Sequence, residues 1–158
     1  MTKLGMGMMR LPLLDENDQT SIDIEHVNKM VDAYMDAGFN YFDTAHGYID
    51  GKSEVAIHDC LTSRYDREDY VLADKLSDWF FEKEEDIIPL FEKQLEICGV
   101  EYFDIYLFHC LTRNSYPKHK RCNSFEIAKR LKEQGKIKHI AMSFHDTADI
   151  LDMILTEQ

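Results

Sequence analysis

Short apolar runs alternate with amphipathic stretches along the whole chain. Four of the runs end on a polar side chain: Asn40-Tyr41-Phe42-Asp43, Tyr70-Val71-Leu72-Ala73-Asp74-Lys75, Ile105-Tyr106-Leu107-Phe108-His109 and Ile140-Ala141-Met142-Ser143. Successive ends lie 32, 34 and 34 residues apart, the length of one strand, one crossover helix and two short loops. Runs this uniformly apolar predict parallel strands buried on both faces. Between them, His26 to Ala37 places Val27, Met30, Val31 and Tyr34 at i, i+3, i+4 and i+7, an amphipathic helix stopped by Gly38. After a loop from Thr44 to Lys52, Ser53 is placed to cap a short helix carrying Val55, Ile57 and Leu61. A third helix aligns Ile88, Phe91, Leu95 and Cys98, with Glu84, Glu85 and Asp86 near its positive end and Gly99 as its stop. Leu4 to Leu11, closed by Pro12, reads as the first strand, and Asp15 to Thr20 as a polar loop. Arg113 to Arg121 reads as a basic loop, followed by a helix from Ser124 to Gln134 that Gly135 ends. A last helix opens at Asp146 or Thr147 and carries Ile150, Met153 and Ile154.

Five strand-helix units in strict alternation predict an α/β fold around a parallel sheet. The spacing fits both an open doubly wound sheet and part of an eight-unit barrel. In either architecture ligands gather at the C-terminal ends of the strands, where Asp43, Lys75, His109 and Ser143 stand.

Composition narrows the class. The 158 residues suggest one domain over 1–158, and 44% hydrophobic content supplies a core. A net charge of −12 argues against capture of nucleic acid or an anionic membrane. No run approaches the roughly 20 apolar residues of a spanning helix, and the N-terminus lacks a signal-peptide core. Cys60, Cys98, Cys110 and Cys122 have unrelated spacings and no CxxC, which fits reduced thiols in the cytoplasm better than disulfides or a zinc site.

The strongest local motif is Gly38-Phe39-Asn40-Tyr41-Phe42-Asp43-Thr44-Ala45-His46-Gly47-Tyr48, followed by Ser53-Glu54. It resembles the aldo-keto reductase family, in which a strand-end aspartate precedes a loop tyrosine by five residues. Ala73-Asp74-Lys75 resembles that family's strand-end lysine, and Phe108-His109 its strand-four histidine. Gln134 to Ser143 is similar to its fifth strand, and Gly5 to Pro12 to its first. The resemblance spans essentially the whole chain. It implies an incomplete (β/α)8 TIM barrel of about five parallel units, with NADP as cofactor and a small aldehyde or ketone as substrate. By position it implies Asp43, Tyr48, Lys75 and His109 as catalytic residues, and Asp43, Ser143 and Met8 at the cofactor. The residue types suit that chemistry. Hydride arriving at a carbonyl carbon leaves charge on oxygen that needs a proton. Tyr48 would give it, helped by the Lys75 ammonium, because a free phenol titrates only near pH ~10. Asp43 would orient the lysine, and His109 would bond the carbonyl oxygen.

Simpler readings stand beside these. Ser143 is equally a strand-end capping hydroxyl. Cys110 reads as a core thiol, since alternation turns it away from His109, and Met6, Met8 and Met9 read as core packing. His46, His109, His145 and Asp43 lack the HxH or HExxH spacing of a metal hydrolase, so no metal is expected. Ser143-Phe144-His145 resembles a bacterial branch that often carries a C-terminal ferredoxin-like segment, but no matching cysteine cluster occurs here. Family members run to roughly twice this length, and the resemblance stops after strand five and its helix, before the loops expected to hold the cofactor's phosphates. The expectation is therefore a truncated reductase domain, impaired or inactive alone and dependent on a complementing C-terminal half or on self-association. The alternative is a non-catalytic module that pairs through exposed sheet edges.

Overall fold

The computed structural model describes residues 4–158. Five strands, β1 (Gly5–Gly7), β2 (Tyr41–Asp43), β3 (Val71–Leu76), β4 (Phe103–Leu111) and β5 (Ile137–Phe144), form one sheet in the order β1-β2-β3-β4-β5, every neighbouring pair parallel. Helices α1 (Ile24–Asp36), α2 (Lys52–Ile57), α3 (Ile87–Cys98), α4 (Tyr116–Arg121), α5 (Ser124–Glu133) and α6 (Ala148–Glu157) complete the chain. Strand order follows chain order with no reversal. A doubly wound sheet requires a switch point, so the order selects the barrel type: five of the units of a (β/α)8 barrel.

Register then divides the side chains. Asp43 pairs with Ala73, and Lys75 pairs with Leu107. Alternate residues share a face, so Asp43, Ala73 and Lys75 lie on one side. Phe42, Leu72, Asp74, Tyr106 and Phe108 lie on the other. That second face meets the helices and is buried throughout. On the first face Tyr41, Val71, Ile105 and Leu107 stay half-exposed. The expectation of strands buried on both faces is therefore corrected: among the described residues, helices cover one face only.

Several local expectations are corrected too. The first strand covers Gly5–Gly7 rather than Leu4 to Leu11. Beyond Gly7 the pairing survives for one bond, from Met8 N–H to the Asp43 carbonyl at 2.8 Å, and the Met8 carbonyl then accepts the Ser53 hydroxyl. Ser53 lies inside α2, not at its cap, which Gly51 forms at φ +82°. Val55 and Met30, expected on buried stripes, are exposed, as is Met9; Met8 alone of the methionine cluster is fully buried. The basic stretch contains α4, opened by Pro117 in its first turn. At the helix ends the apolar spacing holds. Asp23 caps α1 by accepting the His26 N–H at 3.0 Å, and Gly99 ends α3 at φ +66°.

At the N-terminal edge of the sheet, Asp104 ties three elements together. Its carboxylate accepts the Leu72 N–H at 2.9 Å, Arg67 Nη2 at 2.6 Å and Lys138 Nζ at 2.9 Å. Burial would raise this carboxyl, but the Leu72 N–H and the two cations outweigh it and hold the group below its ordinary range. All four cysteines are free thiols, and no helix of the described residues is long and apolar enough to cross a membrane.

Candidate active site

Three of the four tetrad candidates stand at the C-terminal ends of adjacent strands, and the fourth stands on the loop above them. Lys75 is 4% exposed. Its ammonium donates to Asp43 Oδ1 at 2.5 Å and to the Thr44 carbonyl at 2.6 Å. It also lies 4.6 Å from the centre of the Tyr48 ring, a cation–π approach. The Tyr48 hydroxyl bonds no other described residue. The Tyr48 and His109 rings meet edge to face with centres 5.7 Å apart. The structure therefore brings Asp43, Tyr48, Lys75 and His109 together.

Two backbone distortions aim these side chains. The turn Tyr48–Gly51 holds Ile49 at φ 52° and Asp50 at φ 49°, left-handed values that a β-branched residue adopts only under strain. On β4, pairing slips between Phe108 and Leu111, and Cys110 takes φ 56°. This bulge follows His109 directly, where an extra residue re-aims its neighbours. It also overturns the expectation of a core thiol: Cys110 is half-buried at the bulge. Its N–H donates to Ser143 Oγ at 2.7 Å. Of the two readings for Ser143, the structure shows the capping bond, with the hydroxyl proton left free to donate. Met8, expected at the cofactor, is fully buried and presents no side-chain atom to the site.

Sequence reasoning missed Ser77. It lies two residues beyond Lys75 on the same face, is 1% exposed, and its Oγ is 2.5 Å from His109 Nδ1. The period-two spacing from Lys75 was the available signal. His109 titrates at about 4, lowered from 6.5 first by burial and then by the Lys75 and His145 charges. It is neutral at pH 7 and so cannot serve there as the proton-giving acid. Tyr48 lines the same cavity as the His109 ring.

Met9, Tyr48, Ser77, Trp79, Phe80 and His109 line a cavity of about 320 Å³ at this end of the sheet, near the lower bound for a small-ligand site. A larger depression of about 540 Å³ lies around Asp36, Gly38, Phe39 and Tyr65 at the opposite strand ends. It holds none of the tetrad, so chemistry rather than volume selects the site. The metal-hydrolase set of His46, His109 and Asp43 does not converge. Among the described residues the one convergent group of His, Cys, Asp and Glu ligand atoms is Glu54, Asp74 and Cys98, all within 4.8 Å of one another behind β3.

The model of the aldo/keto reductase family matches residues 3–158. The chain belongs to that family. An aldo-keto reductase of Mycobacterium sp. (strain KMS) is 31% identical over 146 residues, covering 85% of this chain and 50% of its own. One from Mycolicibacterium smegmatis is 27% identical over 154 residues, covering 96% and 49%. The chain thus spans about half the length of the curated relatives it matches. Among solved structures, an aldo-keto reductase from Bacillus halodurans in its holo form superposes with a TM-score of 0.76 at 23% identity, over 98% of this chain and 49% of that one. A Klebsiella pneumoniae aldo-keto reductase in complex with NADPH gives 0.69 at 23% identity, over 93% and 47%.

Proposed function

We propose that this chain is a partial reductase domain carrying the proton-donating centre of a nicotinamide-dependent carbonyl reductase. The carrying observation is the placement of one buried ammonium between the Asp43 carboxylate and the face of Tyr48, with a neutral His109 beside the same ring. The aldehyde or ketone oxygen lies between the Tyr48 hydroxyl and His109 Nε2. With the imidazole in the tautomer whose Nδ1 accepts the Ser77 hydroxyl, the ring proton sits on Nε2 and is available to that oxygen. NADPH, when bound, would supply the hydride that the carbonyl carbon takes up. As the carbonyl electrons move onto oxygen, Tyr48 gives its proton there, and the Lys75 ammonium stabilises the charge left on the phenol. Water then reprotonates Tyr48, so one NADPH and one proton yield one alcohol and NADP+.

The residues present fit the nicotinamide end of that cofactor. The cavity has the volume for a ring, and Ser143, bonded to the backbone of Cys110 next to His109, keeps a hydroxyl proton that would serve an amide oxygen. Relatives solved with NADPH or NADP support the choice of cofactor. The test is titration with NADPH, followed by Trp79 fluorescence, since that indole lies 5.3 Å from the His109 ring. Quenching with a carbonyl-dependent turnover that Tyr48→Phe removes supports the reading. The second reading, a module that pairs through its exposed sheet edges, rests on β1 and β5, which end the sheet with one strand neighbour each among the described residues. It is favoured if NADPH leaves both fluorescence and unfolding temperature unmoved while light scattering shows a complex.

A further inference from the structure

Behind Lys75 the chain buries two acids side by side. Alternation turns Asp74 to the helix-facing side of β3, where it is fully buried together with Glu54 of α2 and Cys98 of α3. Asp74 Oδ1 accepts the Lys75 N–H at 2.7 Å, and Cys98 Sγ lies 3.9 Å from Oδ2. On the other acid, Glu54 Oε1 accepts Gln94 Nε2 at 3.3 Å, and Oε2 lies 2.8 Å from His46 Nδ1. Gln94 also donates to the Lys75 carbonyl at 3.0 Å and accepts the Tyr106 hydroxyl at 2.5 Å. Among the described residues no Lys or Arg side chain pairs with either acid; the Lys75 ammonium faces the other way, to Asp43.

Two adjacent carboxylates sealed from solvent, with no lysine or arginine side chain paired to them among the described residues, repel strongly, and a single proton between them converts the repulsion into a hydrogen bond. The surroundings agree. Burial, then the neighbouring Glu54, hold Asp74 well above its ordinary range, and burial likewise keeps the Cys98 thiol and Tyr106 phenol protonated.

We propose that Asp74 and Glu54 share one proton, and that this bridged pair is the strut fixing the strand end of Lys75 against the loop that carries Tyr48. One end hangs from the Lys75 backbone N–H, and the other from His46, two residues before Tyr48. Both acids are positioning residues, since neither reaches the cavity. Their catalytic meaning rests on the reading of Lys75 and Tyr48 above. The shared proton does not.

The proton is tested without turnover. At about pH 8 a solvent-exposed carboxyl is ionised, so the infrared spectrum of the purified chain should show the C=O stretch of a protonated acid, shifted in D2O and lost in Asp74→Asn. No such band in the wild-type chain overturns the proposal, whether or not the variant folds. A stoichiometric metal after dialysis, released by Glu54→Gln, also overturns it, because the pair would then be a cation site. Stability supplies a second readout. A folded-state value above the unfolded one means that the native state holds the extra proton, so stability falls as pH rises from about 4. The wild-type unfolding constant should rise about tenfold per pH unit relative to Asp74→Asn, up to the value of the pair; parallel curves overturn the proposal. For the strut, the Lys75 amide and His46 ring NMR signals should shift together on alkaline titration in wild type and stay still in Asp74→Asn. Independent shifts overturn it. Loss of reductase activity with these results intact would count against the Tyr48 reading alone.

Discussion

Replacing Asp43 by asparagine should cost far more stability than a surface charge ordinarily does. The reason is an asymmetry in burial: the Lys75 side chain is 5% exposed and the Asp43 side chain 29%. Without the carboxylate, the ammonium keeps the Thr44 carbonyl at 2.6 Å and an amide oxygen in place of Oδ1, but no countercharge. Stranding one member of a buried pair costs about 3–5 kcal/mol. Two surviving acceptors put Asp43→Asn near the lower end, at about 3 kcal/mol. Lys75→Met removes the charge that cannot rehydrate and leaves a carboxylate that can, for about 1–2 kcal/mol. The double variant strands nothing and should be no worse than Lys75→Met. The cycle therefore predicts that the two effects fail to add by at least about 3 kcal/mol. Urea unfolding followed by far-ultraviolet circular dichroism at neutral pH measures all four corners. Additive costs, or less than about 1 kcal/mol for Asp43→Asn, would refute the claim that this ammonium is desolvated and held by one carboxylate.

Two further predictions probe the frame around the site. His119 is fully buried against Phe81, Phe108 and Phe125, with neither ring nitrogen bonded among the described residues, and burial lowers it from 6.5 to about 4. The unfolded chain takes up this proton first, so stability should fall by roughly 3 kcal/mol as pH drops from about 6.5 to about 4. His119→Phe should flatten that decline, leaving the His109 share, and an unchanged slope in urea titrations across this range would contradict it. Asp104 shifts stability in the same direction, over a lower pH range. Its lowered carboxyl contributes stability that is present above about pH 4 and lost as pH falls through the folded value. Asp104→Ala, which leaves the Leu72 N–H and Arg67 without their acceptor, should cost about 2–4 kcal/mol near pH 7. The gap to wild type should close in strong acid.

Much of this arrangement is legible in the sequence. Asp43, Lys75 and His109 close apolar runs at barrel-like spacing, and the loop tyrosine follows Asp43 by the interval that brings it over the lysine. Helix stops at Gly38 and Gly99 announce themselves because the left-handed turn after a helix suits glycine. What escaped depends on tertiary proximity or on competition between local signals. Asp74 and Glu54 stand 20 residues apart, and only the folding of α2 against β3 makes them one group. Ser53 has the look of a cap, but its hydroxyl is claimed by the Met8 carbonyl and by Thr44, so a glycine serves instead. The β4 bulge breaks the alternation used to bury Cys110. Around α4, four basic residues masked a start that Pro117 signals. On β1, apolar residues continued past the point where the backbone leaves the sheet.

The central claim is that Tyr48 delivers the proton in carbonyl reduction while the surrounding residues hold it in place. The direct measurement is NADPH consumption with a small aldehyde, for wild type and Tyr48→Phe, with NADPH affinity read on the same samples from Trp79 quenching. The account predicts turnover in the wild-type chain, equal cofactor affinity in both, and a loss of at least ~100-fold in kcat for the variant. Turnover that survives removal of this one hydroxyl, or a wild-type chain that binds NADPH and leaves every carbonyl tested unreduced, would contradict it.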